Sequence, residues 1–88
     1  MRMTSLASGS SGNCTLIQSD NDTHILVDAG ISCKRIQDSL HLLDVDASDL
    51  SGIFITHAQS DHISGLKVLC KRRNIPIYGT LETLSAIQ

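Results

Sequence analysis

Apolar residues in this chain fall into two rhythms, short dense runs bounded by turn formers and longer stretches with helical spacing. Met3 to Ser8 reads as a first strand. Gly9-Ser10-Ser11-Gly12-Asn13 reads as a turn, because glycine and asparagine accept the positive φ that tight turns require. Cys14 to Gln18, with Leu16 and Ile17, reads as a second strand, followed by a turn over Ser19-Asp20-Asn21-Asp22. His24 to Asp28 is a third strand, and its run Ile25-Leu26-Val27 predicts burial on both faces. These three strands are expected to form an antiparallel meander.

Past Gly30 the period lengthens. Ser32 is an N-cap candidate for a helix to about Leu43, with Ile36, Leu40 and Leu43 on one face. Asp44 to Asp49 reads as a solvated acidic connector, and Ile53 to Thr56 as a fourth strand delivering His57 at its end. A second helix is expected from Asp61 to Arg73, carrying Ile63, Leu66, Leu69 and Cys70, with Asn74 and Pro76 ending it. Ile75 to Gly79 reads as a fifth strand. Thr80 caps a last helix with Leu81, Leu84 and Ile87, still running at Gln88. Strand and helix alternate from His24 onward. That order predicts an α/β fold (an α+β-like mixed sheet) with parallel crossovers and helices covering the sheet.

Eighty-eight residues allow one domain at most, with a modest core. Hydrophobic residues at 41% against 18% charged read as globular rather than disordered. The net charge of −2 gives nucleic-acid binding no bulk electrostatic support, although a local patch does not need it. No apolar run approaches the ~20 residues of a membrane span, and Met1-Arg2-Met3-Thr4 opens no signal-peptide core. Cys14, Cys33 and Cys70 lack C-x-x-C spacing and read as reduced, mostly buried thiols of a cytoplasmic protein.

The chemistry concentrates in Thr56-His57-Ala58-Gln59-Ser60-Asp61-His62, where a strand ends and a helix begins. Imidazole nitrogens and a carboxylate oxygen on one short loop can converge on a divalent metal. Sites in open α/β sheets gather at such strand ends. The bland alternative is a polar loop with Asp61 as a helix cap and two surface histidines. Asp28, after three apolar residues, must be satisfied somehow; its bland role is turning the chain before Gly30. The Ser8 to Asn13 loop could offer N–H groups to a phosphate, but it lacks a P-loop ending and reads first as a hairpin turn. Lys67, Lys71, Arg72 and Arg73 suit the C-terminal end of a helix dipole. His24 and His41 have no ligand-like neighbours. No G-x-S-x-G elbow supports a nucleophilic triad.

The His57–His62 segment resembles the H-x-H-x-D-H signature of metallo-β-lactamase fold hydrolases. Ser5 to Cys14 and Ile25 to Gly30 resemble the first two motifs of its YycJ/WalJ-type exonuclease branch. Gln59 departs from the pattern, standing where it has a second histidine. The resemblance implies the N-terminal half of an αββα sandwich, with residues 1–88 incomplete as a domain and the C-terminal half of the same protein absent. It implies two divalent ions, zinc by default with manganese or iron as alternatives. His57 and Gln59 would serve one ion, and Asp61 and His62 the other. Asp61 would also hold and orient the attacking water, and Asp28 would steady the metal loop. The implied activity is hydrolysis of phosphodiesters, with DNA as substrate, and the 88 residues alone are expected to be inactive or nearly so. The alternative is a non-catalytic, truncated or degenerate relative, a binding or structural fragment. A half-sandwich would expose one apolar face in either case.

Overall fold

The computed structural model describes residues 1–87, leaving aside the Arg72 side chain. The expectation of a helix still running at Gln88 therefore lies outside the described residues. Five strands form one sheet in sequence order: β1 (Arg2–Ala7), β2 (Cys14–Gln18), β3 (His24–Val27), β4 (Leu50–Phe54) and β5 (Ile77–Tyr78). The first three are antiparallel neighbours, and β4 and β5 join in parallel, as the alternation predicted. The helices are α1 (Cys33–Leu42), α2 (Ser60–Ile63), α3 (Leu66–Arg72) and α4 (Leu81–Ile87).

Helix α1 starts where expected, because the Ser32 side chain accepts from the Arg35 N–H at 3.2 Å. Its Ile36 and Leu40 are fully buried. They join Leu16, Leu26 and Ile53, which face one another across β2, β3 and β4 on the helix side of the sheet. Leu69 of α3 completes that core.

Several expectations need correction. Only Leu26 of the β3 run is fully buried; Ile25 and Val27 face the other side of the sheet and are partly exposed. That side carries Met3, Ile17, Ile25, Val27, Phe54 and Tyr78, brought into line by the strand register, with Phe54 stacked on Tyr78 at 5.3 Å. Helices thus cover one face of the sheet and leave the other open. The acidic connector is also more than a solvated loop. Ala47–Asp49 forms a 3-10 turn capped by Asp46, with Val45 and Ala47 buried beneath it. Strand β4 spans Leu50–Phe54 rather than beginning at Ile53, and β5 keeps only two residues.

The single helix expected over Asp61 to Arg73 is instead two helices separated at Ser64 and Gly65. Gly65 lies directly on the chain after β3: its N–H donates to the Ala29 carbonyl at 2.8 Å. A Cβ there would sit 2.0 Å from the Ile31 carbonyl oxygen. The close approach bends the helical path, which places α2 at the end of β3. In α4 the Thr80 cap is present, but Leu81 is largely exposed, so its apolar face is narrower than the spacing suggested.

Candidate metal centre

Asp28 closes β3 in the left-handed region, at φ 66°, and is 5% exposed. An ionised carboxylate buried this deeply requires hydrogen bonds. It has three. Oδ1 accepts from the Thr56 N–H at 2.8 Å, and Oδ2 accepts from the Thr56 hydroxyl at 2.7 Å. His62 Nδ1 lies 2.7 Å from the same Oδ2. A carboxylate only accepts, so His62 carries its proton on Nδ1 and turns Nε2 away from Asp28.

His62 Nε2 lies 3.5 Å from Asp61 Oδ2. Two donors at 2.0–2.1 Å from one tetrahedral ion lie roughly 3.4 Å apart, so this pair has the span of a metal chelate. The His57 ring centroid is 4.8 Å from that of His62, and His57 Nδ1 lies 3.0 Å from the Thr56 hydroxyl oxygen. Among the described residues, no three His, Cys, Asp or Glu side chains converge closely enough to hold an ion by themselves.

The Gln59 carbonyl accepts from the His62 N–H at 2.8 Å. Gln59 is the exposed residue preceding α2, and its side chain makes no capping bond. With Thr56, His57 and Ala58 it lines a recess of about 260 Å³, closed on the far side by Glu82, Thr83 and Ala86 of α4. The structure therefore brings Asp28, Asp61, His57 and His62 together, and Gln59 shares the recess with His57. Asp61 lies in the first turn of α2 without capping it and His62 is largely buried, whereas His57 is exposed.

The glycine-rich turn has a different task from phosphate binding. The Asn13 N–H donates to the Asp61 carbonyl at 2.7 Å, and Asn13 Nδ2 donates to the same oxygen at 3.1 Å. Gly30 N–H in turn donates to the Asn13 carbonyl, and Ala29 N–H to the His62 carbonyl. Gly30 is where these backbones cross: a Cβ would lie 1.9 Å from the Asp61 oxygen. The hairpin reading of the loop holds, with an added role as a clamp on the His57–His62 segment. Cys14 is buried behind it, and burial, with the Asp28 charge nearby, pushes its thiol up to about 12.

Asn13 and Thr56 are the site residues that sequence reasoning missed. Turn position explained Asn13 fully on its own, and a hydroxyl at a strand exit is common. The one available signal was that Thr56 directly precedes His57. Lys67 and Lys71 are exposed on α3, and His41 pairs with Asp46 at 3.4 Å. All three cysteines are free, and no helix among the described residues is long and apolar enough to cross a membrane.

The pattern of the metallo-beta-lactamase superfamily matches residues 7–87. The chain is 40% identical over 83 residues to Exodeoxyribonuclease YycJ of Bacillus anthracis, covering 94% of itself and 31% of that protein. It is 34% identical over 86 residues to Ribonuclease J of Helicobacter pylori, covering 86% of itself and 12% of that protein. Among solved structures, a metallo-beta-lactamase of Cronobacter sakazakii with a HARLDQ motif superposes with a TM-score of 0.79 at 22% identity. That match covers 92% of this chain and 31% of the other. The chain thus spans less than a third of the length of the curated relatives it matches.

Proposed function

The chain belongs to the metallo-beta-lactamase superfamily, and on that premise we propose that it carries the first metal-binding arm of a metal-dependent nucleic-acid hydrolase. The observation that carries this reading is the pair His62 Nε2 and Asp61 Oδ2, 3.5 Å apart, with Asp28 holding the other imidazole nitrogen. A carboxylate behind a ligating histidine fixes its orientation and raises its basicity. In this reading Asp61 and His62 hold one divalent ion, and His57, with Gln59, leans toward a second. Zinc suits the mixed imidazole and carboxylate donors, with manganese or iron as harder alternatives. A divalent ion bound there would acidify water near neutral pH and polarise the scissile group. Asp61 orients that water and accepts its proton, Asp28 and Thr56 keep the imidazoles aimed, and Asn13 holds the loop still.

The names of the nuclease relatives support phosphodiesters, DNA foremost, as the bonds cleaved. The reading takes residues 1–88 as the N-terminal half of the domain, and the open sheet face supports this, since a second half would cover it. Two arms of two donors each leave the remaining coordination to residues outside this chain.

Zinc titration of the 88-residue chain, followed by competition with a chelator, tests the reading. Weak zinc binding that disappears in Asp61→Asn is expected, together with little or no DNA cleavage by the chain itself. Failure of the folded chain to bind any divalent ion would overturn it and favour the non-catalytic alternative.

A further inference from the structure

The two donor arms differ in charge. Asp61 brings a carboxylate to the arm it shares with His62, whereas His57 and Gln59 bring an imidazole and a carboxamide. A ligating imidazole is neutral, and so is an amide. A divalent ion beside His57 therefore needs its counter-charge from elsewhere. The recess that His57 and Gln59 share has an acid in its far wall: Glu82, in the first turn of α4. Among the described residues it is the one acid lining that recess, and its carboxylate makes no ion pair. The helix dipole accounts for an acid near a helix start, but not for the side of the helix on which it stands. Capping does not need Glu82, because Thr80 Oγ1 accepts from the Thr83 N–H at 3.1 Å. The wall itself is anchored. The Ile55 N–H donates to the Tyr78 carbonyl at 2.9 Å, which ties the approach to α4 to the chain just ahead of Thr56 and His57. Ala86, one turn beyond Glu82, is small and leaves the recess open.

At about 260 Å³ the recess is far larger than a bare ion. It has room for an ion that keeps part of its water, as hard divalent ions do. Carboxamide and carboxylate oxygens also favour such ions over zinc. We propose that Glu82 is a metal-binding residue of this chain, supplying the counter-charge for a hard, partly hydrated divalent ion of the manganese class beside His57 and Gln59. The Glu82 carboxylate neutralises that ion and accepts hydrogen bonds from its waters. The carboxamide oxygen of Gln59 and an imidazole nitrogen of His57 hold it from the opposite wall. Asp61 and His62 keep the zinc-type arm, so the two positions differ in the metal they select. The inference rests on the metal-binding reading and adds to it a third residue and a metal class for the His57 position.

The test is manganese(II) binding to the 88-residue chain, read from the electron paramagnetic resonance signal of the free ion, beside the zinc titration. Asp61→Asn, which removes the other arm, should lose zinc and keep manganese. In that background Glu82→Gln should weaken manganese binding on the order of tenfold, the effect of one carboxylate facing a divalent charge across water. Glu82 is exposed, so its replacement leaves the fold intact. In the otherwise wild-type chain Glu82→Gln should leave zinc affinity unchanged. Asp38→Asn, which removes an exposed acid of α1 paired with Lys34, should leave manganese binding unchanged. Manganese affinity that is equal with and without the Glu82 carboxylate, or that falls equally in Asp38→Asn, overturns the assignment. So does loss of manganese along with zinc in Asp61→Asn. Any of these results beside zinc binding that depends on Asp61 leaves the metal reading standing, whereas a folded chain that binds neither ion overturns both.

Discussion

Gln59→His is expected to raise zinc affinity, because it would place an imidazole beside His57 in the recess they share. Unchanged affinity in chelator competition would mean that position 59 does not reach the ion. Asp28→Asn should have the opposite effect. Asparagine tolerates the left-handed backbone at φ 66°, so the turn survives, but the charge that orders Thr56 and His62 is lost. Metal affinity should fall about 10–100-fold. Behind them, Cys14 should resist alkylation at neutral pH until the chain is unfolded, since its thiol is buried and pushed up to about 12. Asp28, His57, Asp61 and His62 were legible in the sequence because an acid after an apolar run and imidazoles at a strand end are locally unusual. Thr56 and Asn13 were not, because their partners Asp28 and Asp61 lie 28 and 48 residues away and each looks ordinary in its own neighbourhood.

Helical periodicity identified the apolar residues of the second helical region but not the break within it. Ile63, Leu66 and Leu69 keep helical spacing through Gly65, and only the Ile31 carbonyl across the fold shows why the chain must bend there. Gly65→Ala should therefore destabilise by about 1–3 kcal/mol in chemical denaturation, although alanine is the better helix former. The acidic connector misled for a related reason: its charges are spent on capping. Ser48 hydrogen bonds, with His41 adding, hold the Asp46 carboxyl down at about 2, from an ordinary 3.8. A carboxyl lowered on folding stabilises the native state at a pH above its unfolded value, and that contribution is lost as pH falls through the folded one. Denaturation curves should thus lose stability between about pH 4 and pH 2, and Asp46→Asn should flatten that slope. Strand boundaries slipped by up to three residues, most at β4, because Leu50 and Gly52 pair with β3 while carrying little strand signal of their own.

For the whole molecule, strand order and pairing direction followed from the alternation of elements, whereas the two sides of the sheet did not. Ile53 and Phe54 are adjacent and both apolar, yet one is fully buried under the helices and the other lies on the open face. Ile53→Ala should cost about 2–5 kcal/mol in chemical denaturation. Phe54→Ala should cost far less and should weaken the binding of a hydrophobic dye to the native chain. The clamp at Gly30 adds a dimension of time. Its bonds join Asn13 to Asp61, and the carboxylate of Asp28 waits for a histidine 34 residues further on. Contacts so distant in sequence are slow to close, and they need the hairpin, the crossover and the helix break in place beforehand. The imidazoles therefore reach their native environment only at the end of folding, and a refolding experiment that follows them reads the arrival of the entire chain.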